Sequence, residues 1–237
     1  MTDAEKPARS ISIVVPVHNE QAILADQVLA MRAEMARVGY VYEILLVENG
    51  SADGTLAAAE ALTRAHPEIR LISIEVADYG VALRRGILDA RRDVVIIFNV
   101  EFWSAEFVSI ALAALQTRSL VIGSKSAPGA RDDRPAVRLA VTRLYNLCLR
   151  WFWGFRGTDT HGMKAFNRVD VVPFVEQCRC SGFVFDTELV LRCERAGMKR
   201  LELPTDVQEV RAPSLGSLLA RVPSVVRNLL MLWRVLD

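Results

Sequence analysis

The sequence predicts an α/β fold: one mostly parallel sheet with helices packed on both faces. Short β-branched runs alternate with amphipathic stretches from Ile11 to Phe98, and the connections between them are short. At 237 residues and 51% hydrophobic content, the chain can also bury one large α/β core without a disulfide or metal staple.

Each element has its own signal. Ile11 to Val15 is a β-branched run ended by Pro16, which reads as a buried strand. From Glu20 to Val38 apolar residues recur at Ile23, Val28, Met31 and Met35, and Gly39 stops the helix they imply. Glu43 to Val47 reads as a second strand, Asn49 to Gly54 as a turn, and Thr55 to Ala65 as a second helix. Ile69 to Ile74 and Asp93 to Phe98 are strands on either side of a helix over Val81 to Arg91. Ser119 to Gly123 is a further strand, and Ser126 to Pro135 is a polar loop with the composition of a mobile flap. Arg138 to Trp153 and Asp186 to Ala196 read as helices, and Arg200 to Leu203 as a late strand. Ligands in such sheets sit beyond the carboxyl ends of the strands. Those ends carry Pro16 to Glu20, Glu48 to Gly50 and Asn99 to Glu101, so the three polar clusters predict one shared ligand site.

Charges nearly cancel, with 29 basic residues against 28 acidic ones, which argues against a nucleic-acid partner. Cys148, Cys178, Cys180 and Cys193 form no CxxC pair and no zinc spacing, so reduced thiols of a cytoplasmic protein are expected. Met1 to Ser10 is polar, without the apolar stretch of a signal peptide, and no apolar run reaches the ~20 residues of a spanning helix. The expectation is a cytoplasmic protein, soluble or peripheral on the inner face of the membrane.

These residues carry a family resemblance. Ser12 to Glu20 resembles the opening of family 2 glycosyltransferases. Glu43 to Thr55 is similar to the second block of that family, a strand leading into a Gly-Ser-x-Asp-Gly-Thr turn. Gly80 to Gly86 resembles its Gly-x-Ala segment, and Phe98 to Glu101 falls where the family has its DxD metal motif. The later half resembles the polyprenyl-phosphate sugar synthases, dolichyl-phosphate mannose synthase among them. The blocks that do so are Gly123 to Lys125, Thr142 to Asn146, Asp159 to Phe166, and Gly182 to Leu189.

The resemblance implies a GT-A, Rossmann-like fold and inverting transfer of a sugar from a GDP- or UDP-sugar donor, with polyprenyl phosphate as the first acceptor to consider. It implies that Pro16, Val17, His18 and Glu20 line the base and ribose, with Glu48, Gly80 and Asn99 completing the nucleotide site. Asn99 and Glu101 stand at the metal-motif positions for Mg²⁺ or Mn²⁺, leaving one carboxylate and one neutral carbonyl as oxygen ligands. Lys125 and Arg143 are the catalytic candidates facing the departing diphosphate, and Asp159 is the acceptor-side acid, which orients the acceptor or acts as base. Asp186 and Glu188 belong to the last block, and Asp186 has a helix-capping role as its alternative.

Residues 1–210 are therefore read as one glycosyltransferase domain and residues 211–237 as an amphipathic helical appendage. Leu215, Leu218, Leu219, Val222, Val226, Leu229, Leu230, Trp233 and Leu236 fall on one helical face, with Arg221, Arg227 and Arg234 beside it. Such a stripe fits a membrane surface, but equally packing on the domain or on a second copy, which leaves a homo-oligomer open. Two functional alternatives stay open as well. The Asp159 block is one residue shorter than the phosphate-acceptor pattern, which leaves room for a soluble hydroxyl acceptor. Asn99 in the metal motif leaves room for an inactive nucleotide-binding relative.

Overall fold

The structure, a computed structural model, describes residues 9–206 and 222–236. Its elements follow in the order β1 (Ile11–Val17), α1 (Leu24–Val38), β2 (Tyr42–Asn49), α2 (Thr55–Ala65), β3 (Ile69–Ile74), α3 (Tyr79–Asp89), β4 (Val94–Ile97), α4 (Ala105–Ala114) and β5 (Leu120–Ser124). Then come α5 (Ala136–Trp153), β6 (Lys164–Asn167), α6 (Arg168–Gln177), α7 (Val184–Arg195), β7 (Arg200–Pro204) and α8 (Val222–Leu236). The seven strands form one sheet in the order β3-β2-β1-β4-β6-β5-β7. Only β6 runs against its neighbours β4 and β5; every other pairing is parallel.

Side chains alternate across the strands, so each strand feeds both layers. Val14, Leu45 and Val47 join Leu83, Ile87, Phe185 and Leu189 in one core. Ile13, Val15, Ile44 and Leu46 join Val28, Met31, Val108 and Ala111 in the other. After β1 the chain builds β2 and β3 outward on one side, then crosses to lay β4 on the other. The strand order therefore reverses between β1 and β4, which in such sheets marks the ligand crevice beyond the carboxyl ends.

Three elements had no clear sequence signal. Helix α4 is apolar on nearly every side, so it shows no stripe; α6 carries Pro173 inside it. Strand β6 is only Lys-Ala-Phe-Asn and starts on a buried lysine. Helix α1 starts at Leu24 rather than Glu20, because residues 20–23 form a turn closed by the Glu20 carbonyl. Helix α3 starts at Tyr79 rather than Val81, because the Asp78 carboxylate caps it by accepting from Val81 N–H.

The C-terminal stripe divides. Residues 207–221, which include Leu215, Leu218, Leu219 and Arg221, lie outside the described residues. In α8 Leu232 is fully buried, Leu229, Val235 and Leu236 pack on the same core, and Arg192 donates to the Val235 carbonyl. Val226, Leu230 and Trp233 remain exposed. Helix α8 thus packs on the domain by one side and presents an apolar face by the other. Among the described residues, no helix is long and apolar enough to cross a membrane.

Candidate active site

The loops after β1 and β2 are sewn together. Asn19 is the only non-glycine residue with positive φ among the described residues, at 56°. That turn lets its side-chain carbonyl accept from Ala52 N–H (2.8 Å) while its own N–H donates to Ser51 Oγ (3.0 Å). Glu20 N–H donates to Thr55 Oγ1, Gln21 N–H to Asp53, and Gly54 N–H to Gln21 Oε1. The Ser51-Ala-Asp-Gly-Thr55 block therefore serves as the brace of the first loop. His18 joins it: Nδ1–H donates to the Asn49 carbonyl (2.8 Å), and Asn19 Nδ2–H donates to Nε2 (3.0 Å). A carbonyl can only accept, so the proton sits on Nδ1. Both ring nitrogens are used, and the exposed ring offers its faces rather than its edge.

Glu48 is buried, and both of its oxygens have protein partners: Ser51 N–H at 2.6 Å and Ser73 Oγ at 2.9 Å. It braces the turn from below. Gly80 is buried where a Cβ would come within 2.6 Å of the Gly182 carbonyl, so glycine there lets α3 approach the loop before α7. Pro16 and Val17 close β1, with Val17 fully buried.

On the β4 side, Asn99 and Phe102 exchange backbone hydrogen bonds in a tight turn that leaves Asn99 and Glu101 exposed at its tip. Glu20 faces this turn across the crevice. Partial burial pushes its carboxyl up, and the negative charges of Glu101 and Asp53 push it further. Oxygen donors gather here as a hard cation requires, but the described residues contain no group of three metal-ligating side chains. An ion at this turn would take Glu101 and Asn99 and depend on the phosphates of a bound nucleotide for the rest.

A second cluster lies at the end of β5. Gly162 presses against Gly123 so closely that a Cβ would meet the Gly123 carbonyl at 1.6 Å. This contact brings the loop of Asp159 against Lys125, whose Nζ lies 3.5 Å from Asp159 Oδ2. Asp159 is buried; Oδ1 accepts from His161 N–H (2.9 Å), and Oδ2 has no hydrogen-bond partner. Burial pushes its carboxyl up, but the Lys125 charge, the His161 N–H and Lys164 together hold it below the ordinary carboxylate range. Asp159 is therefore ionised at neutral pH. From Lys125 a groove of about 600 Å³ runs along α5 past Thr142, Arg143, Asn146 and Arg150. Lys125 and Arg143 thus line one cavity. The adjoining loop is tied down: Arg134 pairs with Asp132, and Arg131 N–H donates to Asp206.

Around Asp159 lies polar structure whose pairing the sequence did not disclose. Asn146 donates to the Thr158 carbonyl (2.7 Å), and Glu202 accepts from Thr158 N–H and Oγ1. Lys164 and Asp186 are each 1% exposed and form an ion pair at 2.9 Å. Asp186 sits inside α7, not at its cap, and Tyr79 Oη donates to its other oxygen (3.3 Å). Glu188, fully buried, accepts from Arg179 N–H and Cys180 N–H and pairs with Arg192. Cys178, Cys180 and Cys193 are buried free thiols, and burial raises the pKa of each.

Comparison with known proteins places the chain in a family. The profile of the family described as Glycosyl transferase family 2 matches residues 12–169. The chain is 27% identical over 204 residues to Glycosyltransferase AglD of Haloferax volcanii, covering 83% of this chain and 32% of AglD. It is 24% identical over 249 residues to the dolichyl-phosphate beta-glucosyltransferase of Drosophila melanogaster, covering 97% of this chain and 76% of that one. The chain thus spans only about a third of AglD's length. In fold it resembles glucosyl-3-phosphoglycerate synthase from Mycobacterium tuberculosis, solved with Mg²⁺ and UDP, at a TM-score of 0.67 and 22% identity. That match covers 94% of this chain and 79% of the synthase. The chain belongs to glycosyl transferase family 2, and its fold is the GT-A type that the sequence predicts.

Proposed function

We propose that this family 2 glycosyltransferase moves a sugar, with inversion, from a GDP- or UDP-sugar to a polyprenyl phosphate held at a membrane surface. The observation that carries this reading is the division of α5 into two adjoining faces. One face lines the groove with Arg143, Asn146 and Arg150 beside Lys125 and Asp159. The next exposes Leu144, Leu147, Trp151 and Phe152, with Leu144 at 62% and Trp151 at 83% exposure. Phe152 and Trp233 of α8 lie with ring centroids 5.7 Å apart, so Leu230 and Trp233 extend the same apolar surface. Arg227 and Arg234 are exposed on α8. Exposed aromatic and aliphatic side chains rimmed by arginine suit the interfacial zone of an anionic bilayer. The groove would then open at the bilayer surface, within reach of a lipid phosphate whose tail stays among the acyl chains. On this reading the protein works peripherally, at the inner face of the membrane.

The donor fits the crevice between β1 and β4. Its base and ribose would lie against His18 and Glu20, over a floor braced by Glu48 and Asn49. Mg²⁺ or Mn²⁺, held by Glu101 and Asn99 with the diphosphate, would neutralise charge on the leaving nucleoside diphosphate. Lys125 and Arg143 share the groove beside Asp159, so in this reading they serve the acceptor phosphate rather than the departing diphosphate. An acceptor phosphate oxygen attacks the anomeric carbon, and the nucleoside diphosphate leaves with the bonding electron pair. Phosphate monoesters have a second pKa near ~6, so such an acceptor is already mostly ionised and needs no general base. That agrees with Asp159, whose low pKa makes it a poor proton acceptor but a good anchor for Lys125.

Nucleoside-diphosphate release across a donor panel tests the reading, with Mg²⁺ or Mn²⁺ and with polyprenyl phosphate in anionic vesicles. Release from one donor that rises with the lipid and requires the cation is expected. Release stimulated by a soluble alcohol and indifferent to the lipid would select a hydroxyl acceptor instead.

A further inference from the structure

We propose that His161 is a positioning residue for Asp159, kept as a neutral imidazole with its proton on Nε2 by a one-directional chain of hydroxyls. The inference rests on the reading of Asp159 as the acceptor-side carboxylate.

The chain has four links. His161 Nε2 lies 3.1 Å from the Phe183 carbonyl, and Nδ1 lies 3.0 Å from Thr160 Oγ1. Thr160 Oγ1 lies 3.0 Å from Thr187 Oγ1, which lies 3.1 Å from Tyr145 Oη. The Nδ1 and hydroxyl contacts each leave the donor open when taken singly, but with the Phe183 contact they allow one assignment for a neutral ring. The Phe183 carbonyl can only accept, so Nε2 carries the proton and Nδ1 accepts. Thr160 must then spend its single hydrogen on Nδ1, so Thr187 must donate to Thr160. Thr187 has in turn spent its hydrogen, so Tyr145 must donate to Thr187. Thr160 and Thr187 are 1% and 0% exposed, so water offers neither an alternative partner.

The chain ties together the parts that shape the acceptor side. His161 N–H holds Asp159 Oδ1, and its ring holds the loop before α7 through Phe183. Asp78 pins that loop from the other side by accepting from Gly182 N–H. Tyr145 reaches in from α5, the groove helix. The charges around the ring are Asp159 and Asp186 on one hand, Lys125 and Lys164 on the other; Tyr145 faces it at 6.1 Å between ring centroids. Burial lowers the pKa of His161, against the pull of Asp186 and Asp159. Protonating Nδ1 would turn it into a donor and leave the Thr160 hydrogen aimed at it. Thr160, Thr187 and Tyr145 would all have to reverse. The new cation would also compete with Lys125 for Asp159.

Histidine nitrogen NMR on the full chain tests the assignment directly. The protein has three histidines, His18, His66 and His161, and His161→Gln identifies the signal of interest. The expected result is an Nε2–H tautomer that titrates below 6.5. At saturating donor and acceptor, kcat should fall about tenfold per pH unit below that same pKa. His161→Gln should lose this acid limb. Thr160→Val removes the donor to the neutral ring and should move the limb upward. An Nδ1–H tautomer, a His161 charged at neutral pH, or an acid limb that survives both substitutions would overturn the proposal. Asp159→Asn separates the two failures. Full transfer by that variant would leave nothing to position, while the NMR signal would still judge the chain on its own.

Discussion

The ion pair of Lys164 and Asp186 gives a sharp prediction, because both partners are out of water. Each is 1% exposed, and Nζ lies 2.9 Å from Oδ1. At an effective dielectric of ~20 the attraction across that distance is about 6 kcal/mol. Desolvation of the two ions costs several kcal/mol each, so the pair itself is close to neutral for stability. Removing one partner is different. In Asp186→Ala the Lys164 ammonium keeps the Gly162 carbonyl as a hydrogen-bond partner (3.0 Å) but loses its counter-charge. The expected loss is about 3–5 kcal/mol, as for other buried pairs broken on one side. In urea, with a slope of about 2–3 kcal/mol per molar, the unfolding midpoint should fall by about 1–2.5 M. The paired change Lys164→Met with Asp186→Leu should recover most of that loss. Urea unfolding followed by tryptophan fluorescence on Lys164→Met, Asp186→Leu and the double variant closes the cycle. If Asp186→Ala costs less than about 1 kcal/mol, or the double variant costs the sum of the singles, the buried-pair reasoning is wrong.

Further predictions concern the site. Lys125→Ala and Arg143→Ala should each raise the acceptor KM about 10- to 100-fold and leave nucleotide affinity unchanged, as steady-state kinetics with each substrate varied will report. Ionised Glu20 is the stronger acceptor for ribose hydroxyls, and its pKa is raised. Nucleotide affinity should therefore start to fall at a higher pH than an ordinary carboxylate would give, and Glu101→Gln should move that fall to lower pH; calorimetric titration of nucleotide against pH, without added metal, reads both. Trp151→Ser and Trp233→Ser should each weaken sedimentation with anionic vesicles about tenfold or more, with nucleoside-diphosphate binding intact. Equal vesicle binding by the wild type and both variants would rule out the α5 and α8 face as the membrane contact.

Much of the fold was legible because its strands are buried on both faces and its helices are striped. Ile11 to Val15 and Glu43 to Val47 needed no context to be read, since parallel inner strands are mostly apolar, although β1 runs on through Pro16 to Val17. Strand β6 was not legible: it borrows its place from β4 and β5, and its first residue is a lysine neutralised by a carboxylate more than twenty residues on. The polar clusters at the strand ends do lie together, as the bonds of Asn19 to Ser51 and Ala52 and the effect of Glu101 on Glu20 show, but the partners of each residue were not legible. Glu48 looks like a ligand in sequence, and in three dimensions its oxygens brace Ser51 and Ser73. The partners that set Asp159 in place, Asn146, Thr158 and Glu202, are scattered along the chain and meet only when β5 and β7 pair. The C-terminal stripe was legible as an amphipath. Which half faces the domain was fixed by Leu232 and the arginines of α7, a tertiary fact with no local signal.

The polyprenyl-phosphate reading is tested most directly by following labelled sugar from the donor that supports nucleoside-diphosphate release into an organic-soluble product. Wild type with polyprenyl phosphate in anionic vesicles should place the label in the lipid phase through an acid-labile glycosyl phosphate bond. Asp159→Asn should lower that transfer about 100-fold. Label that stays wholly in the aqueous phase while nucleoside diphosphate is released would contradict a lipid phosphate acceptor.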